Sequence, residues 1–199
     1  PSGWYAANAG ATGCEKCLEG WAVESTGNAN CTRCDPGRYA DVKGLSRCKE
    51  CDAGEYSAMP GSHTCINCPK GWIQPPLGET NCTRCVPGKF AGKEGLSRCA
   101  ECTAGEYSSM PASHNCTECP VGWIQASSGE TNCTRCDPGE FAFEEGLTRC
   151  VKCAAGEYSA MSGSQSCTEC PVGWIQASSG EVNCTRCHPG EFADEEGLS

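Results

Sequence analysis

The chain has 199 residues and a formal net charge of −10, and it carries 22 Cys, 25 Gly and 12 Pro. Cys is about 11% of the residues, above the level that marks a disulfide scaffold. With Cys set aside, too little Leu, Ile, Val and Phe remains for a packed core of ordinary size, and there is no long apolar run or heptad. That excludes a large α/β enzyme, a helical bundle, a coiled coil and a membrane segment in this window, and the acidic balance argues against nucleic acid as a partner.

Along the chain the organising feature is a repeat. Eleven C-x-x-C pairs run from Cys14/Cys17 to Cys184/Cys187 with an unbroken period of 17, as from Cys14 to Cys31 to Cys48. Residues 1–13 form a partial module, because Pro1-Ser2-Gly3-Trp4-Tyr5 reads as the stretch that follows a C-x-x-C. No signal peptide is visible there. Residues 14–30 are one module, and 31–81, 82–132 and 133–183 are three super-repeats, each of three modules. Residues 184–199 are a second partial module, ending at Gly197-Leu198-Ser199 just short of the next expected Cys. The expectation is a window from a longer array, with any signal peptide, anchor or cap outside it. Residues 82–132 and 133–183 match at 37 of 51 positions, whereas the neighbouring modules 82–98 and 99–115 match at 3 of 17. Three unlike modules therefore recur in fixed order: C-T-R-C ending G-L-S/T-R, then A-G-E-Y-S, then G-W-I-Q.

Each module repeats a small set of fixed positions. A Gly follows the second Cys by three (Gly20, Gly37, Gly54, Gly71 and onward), and another lies seven further on, a column that Ala112 alone breaks. Gly at fixed offsets in a short loop marks positive φ or close backbone approach. An apolar or aromatic residue follows the second Cys by five, as at Tyr39, Tyr56, Ile73 and Phe90. The fold class expected is small disulfide-rich repeats, mostly loop with short β-ribbons and little or no helix. Stacked on their neighbours, such modules would make an elongated rod or solenoid.

Two chemistries compete for the cysteines. Pairs of C-x-x-C knuckles resemble four-cysteine zinc ribbons. Such a site consumes two pairs and imposes a period of 34, which sits poorly with a sequence period of 51. The same objection weighs, without forbidding them, against all schemes that couple modules two by two. Closing each C-x-x-C on itself leaves a strained ring that staples nothing. The scheme favoured joins the second Cys of one pair to the first of the next: Cys17–Cys31, Cys34–Cys48, Cys51–Cys65, Cys68–Cys82, Cys85–Cys99, Cys102–Cys116, Cys119–Cys133, Cys136–Cys150, Cys153–Cys167 and Cys170–Cys184. Cys14 and Cys187 would then bond outside the window. Other disulfide pairings and metal remain open at this stage.

Cys34-Asp35-Pro36-Gly37-Arg38-Tyr39 and Cys51-Asp52-Ala53-Gly54-Glu55-Tyr56-Ser57 resemble two known patterns. One is the small single-disulfide module of tumour necrosis factor receptor ectodomains. The other, and the better fit, is the ephrin-receptor-like cysteine-rich repeat of extracellular proteins. The resemblance covers the whole chain and implies a disulfide-rich extracellular repeat without implying one function. The Trp of the third module type departs from the pattern by one residue.

Five of the eight Asn begin N-x-S/T, namely Asn30, Asn81, Asn115, Asn132 and Asn183, and four of them stand 51 apart. They are expected to carry N-linked glycans, with O-linked sugar on Ser and Thr a further expectation. The bland alternative is that N-C-T is copied along with the repeat, and a bridged Cys in its middle hinders modification. Trp21, Trp72, Trp123 and Trp174 either cover a disulfide and a neighbouring Gly turn or form a stripe of contacts between chains. Arg33, Arg84, Arg135 and Arg186 are expected to pair with Glu residues of neighbouring modules. His63 and His114 share a column whose third member is Gln165, which speaks against a ligand set, and Asp194-Glu195-Glu196 lacks the fixed spacing of a Ca²⁺ loop. No nucleophile–base pair, phosphate loop or paired carboxylate stands out. No catalytic residue, cofactor or metal is therefore expected, and the chain reads as not an enzyme.

The function expected is a structural component of an extracellular filament, appendage shaft or cell-surface coat. Its partners would be copies of itself or other filament subunits. The alternative is a receptor or surface-antigen ectodomain that binds a protein ligand. Either way the expected address is extracellular or at the cell surface.

Overall fold

The computed structural model describes residues 1–8 and 10–198. Ala9, in the leading partial module, and Ser199, the last residue of the closing one, lie outside the described residues. Among the described residues there is no helix, and apart from an isolated bridge between Phe141 and Ser164 the regular structure consists of two-residue strands paired into eleven two-stranded ribbons. The protein is a set of small disulfide-rich repeats.

One module serves for all. After Cys17 the chain turns through Gly20, and Trp21–Ala22 pairs antiparallel with Thr32–Arg33, setting Trp21 opposite Arg33 and Ala22 opposite Thr32. The strands stay this short because a turn precedes the first of them and a cysteine pair flanks the second. Isolated ribbons of this length are not stable in water, so the covalent bridge at their base matters. The ten bridges join Cys17 to Cys31, Cys34 to Cys48, Cys51 to Cys65, Cys68 to Cys82, Cys85 to Cys99, Cys102 to Cys116, Cys119 to Cys133, Cys136 to Cys150, Cys153 to Cys167 and Cys170 to Cys184. Each spans 14 residues of sequence. Cys14 and Cys187 are in none of these bridges.

Contacts divide the chain into two units. One comprises Pro1–Val86, Phe90–Ala100 and Pro111–His114, and the other Pro87–Lys89, Glu101–Met110 and Asn115–Ser199. Each contains five of the bridges. Within each unit the backbone ties a module to the next by the same three hydrogen bonds. In the first unit the N–H of Gly20 donates to the carbonyl of Ala40 (2.9 Å), that of Ala40 to Ser62 (3.1 Å) and that of Gly44 to Cys17 (2.8 Å). In the second unit Gly122 donates to Ala142 (2.9 Å), Ala142 to Ser164 (3.1 Å) and Gly146 to Cys119 (2.8 Å). The structural period inside each unit is thus a single module, with no alternation from one module to the next.

The interior is sulfur and small side chains. In each bridge the second Cys of a pair is fully buried, as at Cys17, Cys51 and Cys119, while its partner is half-buried. Beside it lies the residue six after that Cys, which is Ala, Ser or Gln in the three recurring module types and Val23 in the module 14–30. Ala40, Ala91 and Ala142 are fully buried, and Ser57, Ser108, Ser159 and Gln74 are buried as well. The buried hydroxyls find partners: Ser57 bonds Ser62 at 2.7 Å and Ser159 bonds Ser164 at 2.6 Å. No buried side-chain nitrogen or oxygen among the described residues lacks one, as burial of a polar group demands.

The two Gly columns meet each other. Gly71 has φ +83°, and a Cβ placed on it would overlap the carbonyl of Ala112, two modules on. The second column also takes positive φ throughout, and Ala112, at φ 61°, is the one non-Gly described residue that does so. An L-residue with a Cβ pays roughly 1–2 kcal/mol for that conformation.

Two expectations follow. Removing one bridge with Cys102→Ala and Cys116→Ala should cost about 3 kcal/mol, and limited proteolysis should then cut within 103–115 first. Ala112→Gly should stabilise its turn by about 1 kcal/mol, seen as roughly five-fold slower hydrogen exchange at the residue-112 amide. Gly71→Ala should accelerate exchange at both sites.

Candidate functional site

The Trp-bearing modules form the one recurrent feature that carries distinctive side chains. The antiparallel register sets Trp72 opposite Arg84, Trp123 opposite Arg135 and Trp174 opposite Arg186. The guanidinium then lies over the indole at 5.0 Å for Arg33 on Trp21, 4.8 Å for Arg84 on Trp72 and 4.7 Å for Arg135 on Trp123. At the chain start Lys16 takes the same position over Trp4, at 5.3 Å. These arginines had been expected to seek Glu residues of neighbouring modules, but the ring directly across the ribbon captures them first. Their stems have a second role. The Cδ of Arg33 lies 3.6 Å from where a Cβ on Gly61 would stand, and Arg135 relates to Gly163 in the same way. What lies against the next module's Gly turn is thus the stem of an Arg.

Trp21, Trp72, Trp123 and Trp174 each also line a hollow on the surface. Trp72 shares one of about 410 Å³ with Tyr56, Pro69, Asn81 and Cys82. Trp123 shares one of about 340 Å³ with Tyr107, Pro120, Asn132 and Cys133. Trp174 lines one of about 390 Å³ with Tyr158, Pro171, Asn183 and Cys184. Trp21, with Tyr5, Leu18, Asn30 and Cys31, lines one of about 260 Å³. The Tyr comes from the module before the Trp, so each hollow is built by two successive modules. These volumes lie near the small end of the range for ligand sites. A separate polar cleft beside Glu24, Asp35, Arg38 and Arg47 has no aromatic wall.

The five sequon asparagines, Asn30, Asn81, Asn115, Asn132 and Asn183, are all exposed. Four of them are walls of the hollows, and the backbone of three is held from inside. The Nε2 of Gln74 donates to the carbonyl of Asn81, that of Gln125 to Asn132 at 2.5 Å, and that of Gln176 to Asn183 at 2.7 Å. This clasp is the end of the G-W-I-Q motif. The clasp was not anticipated, although Gln74, Gln125 and Gln176 recur at a position that is Ala or Ser in the other two module types. Trp21, Trp72 and Trp123 are half-buried and Trp174 is 40% exposed. Asn115 differs from the other four: nine residues before it stands Glu106 in place of a Trp.

Elsewhere the electrostatics are those of an exposed surface. Lys49 donates to Asp41 at 2.8 Å, and that bond holds the Asp41 carboxyl below its ordinary value and raises the Lys49 ammonium. Tyr5 donates to Glu15 at 2.9 Å, which raises its hydroxyl. No group of three or more metal-ligating side chains is assembled among the described residues.

Loss of the Trp–Arg stack is measurable. Arg135→Ala should cost about 0.5–1 kcal/mol of local stability and increase acrylamide quenching of indole fluorescence, and Arg135→Lys should restore part of both.

No helix among the described residues is long and apolar enough to cross a membrane. No curated protein matches the chain. The family described as "Tyrosine-protein kinase ephrin type A/B receptor-like" matches residues 54–95, 139–187 and 156–199, together just over half of the chain. The bridges, the repeat and this match agree: the chain belongs to the ephrin-receptor-like cysteine-rich family, and it is a disulfide-stapled domain of the extracellular or cell-surface kind.

Proposed function

We propose that this chain is a structural segment of an extracellular filament, appendage shaft or cell-surface coat, built from tandem, N-glycosylated repeats. The observation that carries the reading is the sameness of the modules. The same three backbone bonds recur from module to module within each unit, and the same Tyr–Trp–Asn hollow recurs with every third module. A lattice needs contacts that repeat with its subunit, whereas a unique ligand needs one distinctive module, and none here is distinctive. The partners are further copies of this chain or of like subunits. The glycans reside on Asn30, Asn81, Asn115, Asn132 and Asn183, whose side chains all reach solvent.

A second reading is the ectodomain of a receptor or surface antigen that binds a protein ligand, and the receptor-like description of the matched family favours it. Negative-stain microscopy of the secreted chain across a concentration series separates the two. Ordered fibres or sheets with a regular axial repeat are the expected result, and isolated particles at every concentration contradict it in favour of the ectodomain.

A further inference from the structure

The hollows and the sequons coincide more often than the rest of the chain would suggest. All four complete Trp-bearing modules end in N-C-T, whereas among the six other complete modules only 99–115 does, and the partial module of Trp4 runs into Cys14-Glu15 with no sequon. The coincidence is also spatial, because the sequon Asn is itself a wall of the cavity in each of the four cases. At Asn132 the Gln125 bond to the backbone carbonyl fixes where the side chain starts, while the side chain stays exposed.

We infer that the first pyranose of a glycan on Asn30, Asn81, Asn132 or Asn183 lies in the adjoining hollow, against the Trp and Tyr rings. This rests on the reading that the sequons are glycosylated. Attachment forms the bond from the Asn Nδ2 to the anomeric C1 of an oligosaccharide carried on a lipid diphosphate. The C1–O bond to that diphosphate breaks, and one amide proton leaves. The attached sugar then hangs beside two aromatic faces. Those faces are electron-rich and attract the polarised C–H bonds of a pyranose, while the sugar's hydroxyls remain at the open rim. Arg84 lies over the Trp72 ring yet is not a wall of the hollow, so the cation does not occupy the sugar's place. The tether holds the sugar at an effective concentration in the millimolar range, well above that of the same sugar free in dilute solution. Asn115 supplies the contrast inside the same chain: Glu106 replaces the Trp and Thr103 replaces the Pro, so a glycan there stands free.

The test uses the full chain secreted from N-glycosylating eukaryotic cells. Site occupancy is read by peptide mass spectrometry, and release by a glycan-cleaving amidase is then timed on the native protein at each site. Release at Asn132 should be about five-fold slower than at Asn115. Trp123→Ala should bring Asn132 to the rate of Asn115 and leave Asn81 slow, and Trp123→Phe should stay within about two-fold of the unsubstituted chain. If Asn81 also accelerates in Trp123→Ala, the array has loosened, and Trp123→Leu takes its place with the same criterion. Release at Asn132 that is indifferent to loss of the ring overturns the inference and leaves glycosylation standing. So does a ring substitution that abolishes fibres without changing release, since the Trp then serves a contact between copies. Unmodified Asn81 and Asn132 overturn the inference and the glycosylation reading together.

Discussion

The structure depends on one constraint: a chain with almost no apolar interior must close a loop in every module by covalent means. Each bridge shortens the unfolded chain's freedom by a loop of about 15 residues, worth roughly 3 kcal/mol, and does so where a two-residue ribbon could not survive alone. The buried sulfur of Cys17, Cys34, Cys51 and their equivalents is also what the modules have for a core. The same atoms therefore supply the staple and the packing. The column beside them is Ala or Ser in two of the three module types, and Gln or Val in the Trp modules.

Backbone hydrogen bonding does what side-chain packing does in larger domains. Gly20, Gly44 and Ala40 each commit an N–H to a neighbouring module or accept one from it, so the modules cohere through peptide groups that nearly all sequences possess. Side chains are then free to vary with module type, and the three types diverge to 3 matches in 17 without disturbing the frame. What varies is the surface, and the surface that concentrates chemistry is the Trp module. Its ring carries an Arg over one part and helps to wall a hollow with another.

Much of this was legible in the spacing of the cysteines. A period of 17 set the modules, and the mismatch between 34 and 51 favoured bridges between successive pairs. The glycine columns were visible as columns, but their reasons were not. That Gly71 faces the carbonyl of residue 112 requires knowing which modules touch. The partners of Arg33, Arg84 and Arg135 were misjudged for a similar reason. Each Trp is separated from its Arg by a whole loop of the chain, and only the ribbon register makes them opposite. Ser57 and Gln74 were hidden by their polarity, because a buried hydroxyl or amide in a sulfur-filled interior carries no hydropathy signal. The hollows were invisible for want of a pairing rule, since Tyr56 and Trp72 belong to different modules.

That division of each hollow between a Tyr module and the Trp module after it has a genetic consequence. Unequal exchange between copies could gain or lose a single module and leave every peptide hydrogen bond and every bridge intact, because the frame cannot tell one module type from another. Such a product would fold, yet it would orphan a tyrosine from its tryptophan. Keeping the aromatic hollow, rather than foldability alone, thus demands that a Tyr-bearing module stand directly before each Trp module.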